Sequence, residues 1–185
     1  SDTVEQREKA LSELLPVQKN DFKGIFKAMG TRPVTIRLLD PPLHEFIPTD
    51  EEDIKELAED MDVPVSKLKA TIHGLQEFNP MLGHRGCRLA ISYPEIARMQ
   101  ARAIIEAAIE VSEEENITIV PEIMVPLVGK KEELEILRKL IIEVAEETKK
   151  EKNSNLSYLV GTMIEIPRAC VTADEIAEYA DFFSF

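Results

Sequence analysis

The chain has 185 residues, 44% of them apolar and 31% charged, enough to bury the core of one globular domain. Its 35 acidic and 22 basic residues leave a formal charge of −13, and no basic stripe with interleaved aromatics occurs, which argues against a nucleic-acid partner. No apolar run is long enough to span a bilayer, and the opening Ser1-Asp2-Thr3-Val4-Glu5 lacks the layout of a signal peptide, so a soluble, cytoplasmic chain with no membrane partner is expected.

Taken in chain order, Val4 to Met29 reads as helix, with Leu11, Leu14 and Leu15 in its first part and Phe22, Ile25 and Phe26 in its second. Pro16 is expected to kink or divide it, and Gly30 to stop it. The β-branched run Val34-Thr35-Ile36-Arg37-Leu38-Leu39-Asp40 then suits a buried strand. Residues 41–84 fit neither an α/β repeat nor disorder, since Pro41-Pro42 opens them and a short acidic helix, Glu51 to Met61, sits within them; they read as an insertion. From Tyr93 to Glu113 an apolar stripe of Ile96, Met99, Ala103, Ala107 and Val111 predicts an amphipathic helix with Arg98, Arg102 and Glu106 opposite.

Strand and helix then alternate. Ile117 to Val125 is β-rich, Lys131 to Lys150 carries Leu134, Leu137, Ile141, Val144 and Ala145 on one helical face, Leu156 to Ile166 is strand-like, and Thr172 to Tyr179 is a shorter helix. Asp181 to Phe185 begins another strand with no closing helix, which suggests a domain that continues further. This pattern predicts an α/β fold with a parallel sheet, and both a doubly wound sheet and a barrel satisfy it.

Three places could carry chemistry. Arg37 lies near the C-terminal end of an apolar strand, so it either pairs structurally with Asp40 or faces a site, where its planar fork suits a phosphate or carboxylate. In Asn79-Pro80-Met81-Leu82-Gly83-His84-Arg85-Gly86-Cys87-Arg88 two glycines flank a His-Arg pair, which is either an ordinary glycine turn or an anion site with Arg85 as the better candidate. Glu165, in Gly161-Thr162-Met163-Ile164-Glu165-Ile166-Pro167-Arg168-Ala169, ends the most apolar strand and requires a cationic partner, an arginine or a metal such as Mg2+. His44, His73 and His84 show no catalytic-triad spacing, and neither a P-loop nor a dinucleotide fingerprint occurs. Cys87 and Cys170 indicate neither a disulfide framework nor a cysteine metal site and are expected to be buried small hydrophobes.

Together, Val34 to Phe46, with its Arg37-Leu38-Leu39-Asp40-Pro41-Pro42-Leu43-His44-Glu45-Phe46 segment, Asn79 to Arg88, and Met163 to Ala169 resemble the pyruvate phosphate dikinases, members of the phosphoenolpyruvate-utilising enzymes. The resemblance covers essentially the whole chain. It implies a partial (β/α)8 TIM barrel of roughly five parallel strands with a mostly helical insertion after the first, residues 1–185 forming a single incomplete domain. The implied activity is phosphoryl transfer from a phosphohistidine on another domain to the enolate of pyruvate, yielding phosphoenolpyruvate, with Mg2+ as cofactor and a homodimer as the assembly. By the same resemblance Arg37 grips the substrate phosphoryl group, Arg85 neutralises it in transfer, and Glu165 binds substrate and ligates Mg2+, with Asp40 and Met163 in support.

The family's phosphorylated histidine and catalytic cysteine have no counterpart here, since neither Cys87 nor Cys170, and none of the three histidines, matches them. A further substrate-binding arginine and a Gly-Thr-Asn-Asp segment with a second metal carboxylate are likewise missing, so the chain alone is expected to be catalytically incompetent. The competing readings are a piece of a phosphoenolpyruvate synthase and a non-catalytic anion-binding or interaction module.

Overall fold

The computed structural model describes residues 3–42, 47, 48, 50–75, 81 and 83–185. His44 with the Leu43 to Phe46 end of its motif, and Asn79, Pro80 and Leu82 of the glycine-flanked segment, lie outside the described residues. The chain divides into two compact units, one formed by Ser1–Leu39 with Gly86–Phe185 and the other by Asp40–Arg85.

The larger unit begins with helix α1 (Val4–Met29), capped at its start by the Thr3 hydroxyl, which accepts from the Gln6 N–H at 3.3 Å. At its end Gly30 takes φ +61° and donates to the Phe26 carbonyl at 2.8 Å. Of the kink or division expected at Pro16, the division does not occur: α1 is one helix from Val4 to Met29. The proline lies on the exposed face, where water can meet the Ser12 carbonyl that it cannot bond.

After α1 come strand β1 (Val34–Arg37), helices α4 (Gly86–Ser92) and α5 (Pro94–Glu115), strand β2 (Pro121–Val125), helix α6 (Lys131–Glu151), strand β3 (Leu159–Met163), the short helices α7 (Pro167–Val171) and α8 (Ala173–Ala177), and strand β4 (Phe183–Ser184). All strand pairs are parallel and the order is β1-β2-β3-β4. Sequential parallel strands joined by helical crossovers are the arrangement of a partial TIM barrel, which resolves the choice left open by the sequence pattern. The strands number four among the described residues, not roughly five. Between β1 and β2, Cys87 to Ile91 wind into α4, whose first turn is opened by Gly86 at φ +55°.

The core lies between the sheet and its helices. Val34 and Ile36 of β1 and Pro121, Ile123 and Val125 of β2 point into it, as do Leu134, Leu137, Ile141, Val144 and Ala145 of α6, the face expected from the sequence. Helix α5 departs from its expected one-sided pattern: Ala101, Ala103, Ile104, Ile105, Ala107, Ala108 and Ile109 are all buried, because α1 and α6 both pack on it and it meets the sheet as well. Its polar residues survive burial by pairing across to α1. Lys19 bridges Glu106 and Glu110 at 3.1 and 3.0 Å, Lys23 bridges Glu110 and Glu114 at 3.0 and 2.6 Å, and Lys27 reaches Glu114 at 2.7 Å.

The smaller unit pairs helix α2 (Glu51–Asp60) with helix α3 (Val65–Leu75), which had no counterpart in the sequence reading. Ile54, Ala58, Leu68 and Ile72 form its own small core, and Lys69 salt-bridges Glu51 at 2.5 Å.

Two outcomes test this packing. A Cβ at Gly161 of β3 would lie 2.6 and 2.7 Å from Phe182 ring carbons, so Gly161→Ala should lower stability by about 1–3 kcal/mol in denaturant unfolding, whereas Gly24→Ala, in open space inside α1, should raise it by about 0.5–1 kcal/mol. For Glu110, burial opposes ionisation, but hydrogen bonds from Lys23 and Lys19 prevail and hold the carboxyl down at about 2, against 4.5 for an ordinary glutamate. A depressed folded-state pKa contributes stability above the unfolded value that is lost as pH falls through the folded one. Glu110→Gln should therefore cost about 2 kcal/mol at neutral pH in urea titrations, allowing for solvent screening, and the cost should shrink as pH drops from about 4.5 towards 2.

Candidate functional site

Parallel strands all end at the same edge of the sheet, and that edge gathers three of the five residues singled out from sequence. The register sets Arg37 opposite Met124, and Met124 opposite Gly161, two residues before Met163. Because successive side chains alternate, Thr35 and Arg37 lie on the sheet face opposite to the helices, where Thr35 donates a hydrogen bond to Glu122 of β2. Arg37 is exposed, and Met163 is half-buried. Glu165 follows β3 directly, half-buried, and its Oε1 accepts the backbone N–H of Leu127 at 2.8 Å.

Leu127 is the residue that the sequence did not reveal. It sits in the turn after β2 at φ +59°, a left-handed conformation that costs a leucine about 1 kcal/mol or more, and it is only 1% exposed. Its carbonyl accepts the Cys87 thiol at 3.2 Å and Arg88 Nη2 at 3.3 Å, while the preceding Pro126 carbonyl accepts the Cys87 N–H at 3.2 Å. Gly86 permits this contact, since a Cβ there would stand 3.0 Å from Leu127 Cδ1. Closeness to Leu127 is what requires a glycine at this position. Next in the turn, the Glu133 carboxylate accepts the N–H groups of Gly129 and Lys130 at 2.8 and 3.0 Å, capping α6, and lies 3.8 Å from Arg88.

Asp40 and Arg85 belong to the smaller unit and form a two-pronged ion pair there. Arg85 Nε reaches Oδ1 at 2.6 Å and Nη2 reaches Oδ2 at 2.8 Å and the Asp40 carbonyl at 3.2 Å, with Asp40 buried. The spacing argument weighed Arg37 as the partner of Asp40; the partner seen here is Arg85, 45 residues away in sequence. His73 and His84 are both exposed.

The two thiols differ from the expectation that both are buried. Cys87 is fully buried, and burial, followed by the nearby Glu133 carboxylate, pushes its thiol up to about 12, so it stays a protonated donor to Leu127. Cys170 is exposed on α7 because the short helix turns it outward while Ala169 faces the core. Among the described residues no group of three or more His, Cys, Asp or Glu side chains could hold a metal ion. Glu165 offers a carboxylate oxygen at the strand edge, and Mg2+ is commonly held by one or two carboxylates with substrate oxygens and water completing its shell, so a protein ligand of this kind fits that ion.

With this geometry, the chain belongs to the phosphoenolpyruvate-utilising enzyme family: the model of its phosphoenolpyruvate-binding domain matches residues 2–185. Within that class the similarity is to proteins named pyruvate, phosphate dikinase. The chain is 62% identical over 185 residues to the one from Clostridium symbiosum, covering 100% of this chain and 21% of that protein. It is 56% identical over 179 residues to the Rhizobium meliloti protein, covering 97% and 20%, and 56% identical over 185 residues to the chloroplastic dikinase 1 of Arabidopsis thaliana, covering 99% and 19%. The chain thus spans about a fifth of the length of the curated relatives it matches.

Thiol chemistry checks the buried corner. With a chromogenic disulfide reagent at mildly alkaline pH, Cys170 should react within minutes and Cys87 only on denaturation, so a Cys170→Ser protein should show no fast-reacting thiol from this segment.

Proposed function

We propose that this chain is the part of a pyruvate phosphate dikinase that binds pyruvate and phosphoenolpyruvate with Mg2+ and accepts a phosphoryl group from a phosphohistidine on another domain. The whole-length similarity to proteins of that name carries the reading, and it favours the dikinase over the synthase and over a non-catalytic module. In the complete enzyme the reaction would convert ATP, phosphate and pyruvate to AMP, diphosphate and phosphoenolpyruvate. Residues 41–84 are then an insertion after the first strand of one incomplete barrel domain, working in a cytoplasmic homodimer. Among the described residues no helix is long and apolar enough to cross a membrane.

The chemistry asked of this segment is positioning and charge stabilisation, since the phosphoryl group moves between groups that the barrel does not itself supply. Arg37, at the C-terminal end of β1, grips the phosphoryl oxygens through its planar fork. Arg85 offsets the charge that develops during transfer, with its guanidinium plane fixed by Asp40 beforehand so that little reorganisation is needed. Met163, half-buried at the end of β3, supports the site from the same strand edge. Glu165 would hold Mg2+ and orient the substrate, one of its oxygens already taken by the Leu127 amide. When bound, Mg2+ would neutralise charge on the enolate and phosphoryl oxygens.

In the full-length protein, Arg37→Ala and Glu165→Ala should each lower turnover with phosphoenolpyruvate by roughly 100-fold or more. Unchanged turnover in both would overturn the site assignment.

A further inference from the structure

We propose that the Gly86-Cys87-Arg88 corner of α4 is a positioning device for Glu165, acting through the two peptide groups that flank Leu127 rather than by touching substrate. That a positioned Glu165 matters for turnover rests on the function proposed above; the positioning itself rests on the geometry alone.

The peptide between Pro126 and Leu127 is held on both edges. Its carbonyl accepts the Cys87 N–H at 3.2 Å, and its N–H donates to Glu165 Oε1 at 2.8 Å. The next peptide is held by its carbonyl, which accepts the Cys87 thiol at 3.2 Å and Arg88 at 3.3 Å. Leu127 between them sits at φ +59°, where a leucine would relax towards negative φ if released. Such a relaxation rotates the N–H away from Glu165. The clamp from α4 therefore holds the strained residue in the one conformation that aims its amide at the carboxylate.

Gly86 sets how closely the clamp can approach. With φ +55° it starts α4 directly against Leu127, and any side chain would meet Cβ, Cγ and Cδ1 of that leucine at 3.0–3.2 Å. The terminal torsion of a glutamate is broad, so a carboxylate left alone at a strand end presents either oxygen in a range of planes. The Leu127 amide removes that freedom by engaging Oε1, and Oε2 accepts no hydrogen bond from the described residues. Glu165 is thereby divided into a structural oxygen and a ligand-facing one, and Cys87 acts as a positioning residue two hydrogen bonds removed from the ligand.

Hydrogen exchange and kinetics on the full-length protein separate this from general packing. Cys87→Ala should speed exchange at the Leu127 amide and raise the KM for Mg2+, each by roughly 10-fold, the size usual for losing an outer partner of a metal ligand. Cys87→Ser keeps a donor for the Leu127 carbonyl and should restore most of both. Glu165→Ala should also speed Leu127 exchange, and adding Cys87→Ala to it should change the KM for Mg2+ no further. The proposal fails if Leu127 exchange is unchanged in Cys87→Ala, or if exchange rises equally throughout α5 and α6, which marks loosened packing. If Leu127 exchange rises as expected while Glu165→Ala leaves turnover intact, the positioning stands and the function assigned to Glu165 falls.

Discussion

The parallel register of β1, β2 and β3 is the constraint on which the rest depends. With Arg37 beside Met124 and Met124 beside Gly161, the strands end together, and each ladder bond brings the next loop to the same edge. The buried Thr162 hydroxyl ties this arrangement further by donating to the Val125 carbonyl of the neighbouring strand at 2.7 Å. Slipping β3 by one residue would exchange the faces of Val160 and Gly161, both buried, and drive the valine side chain into Phe182 where only a glycine fits. Glu165 and Leu127 can meet only because β2 and β3 are in this register.

Thirteen excess negative charges disfavour an anionic ligand, but several acidic residues are neutralised by pairing elsewhere. Glu106, Glu110 and Glu114 are spent on lysines of α1, Glu151 on Arg102, and Glu133 on the start of α6. The pairs between α1 and α5 join helices that local sequence alone would leave independent. Their partners lie 87 to 91 residues apart, so they form only after the strand and crossover between them are in place.

Strain is concentrated where the site is. Leu127 is a fully buried leucine in the left-handed region, and the cost of that conformation is offset by four hydrogen bonds across its two flanking peptides and by contact with Gly86. Asp62, Asn116 and Asn153 share the same φ range but close helices or turns, where polar residues adopt it readily. A β-turn of ordinary geometry after β2 would direct the Leu127 N–H elsewhere and leave Glu165 without its partner.

Much of this was legible in the residues. The helices α1 and α6, the strand at Arg37 and the placement of Glu165 after a strand followed from periodicity and punctuation, because those features depend on neighbours within a turn or a strand, while the phosphoenolpyruvate-utilising family followed from the resemblance of three short segments. Other features were not. The burial of α5 on several sides and the pairing of Arg85 with Asp40 each depend on contacts between distant segments. Sequence determined which residues could serve a phosphoryl site, since charge and hydrogen-bonding capacity belong to the side chain itself. Only the tertiary structure decided that a leucine amide would aim the glutamate, because a backbone group carries no signature in the sequence until its φ and its partners are set by packing.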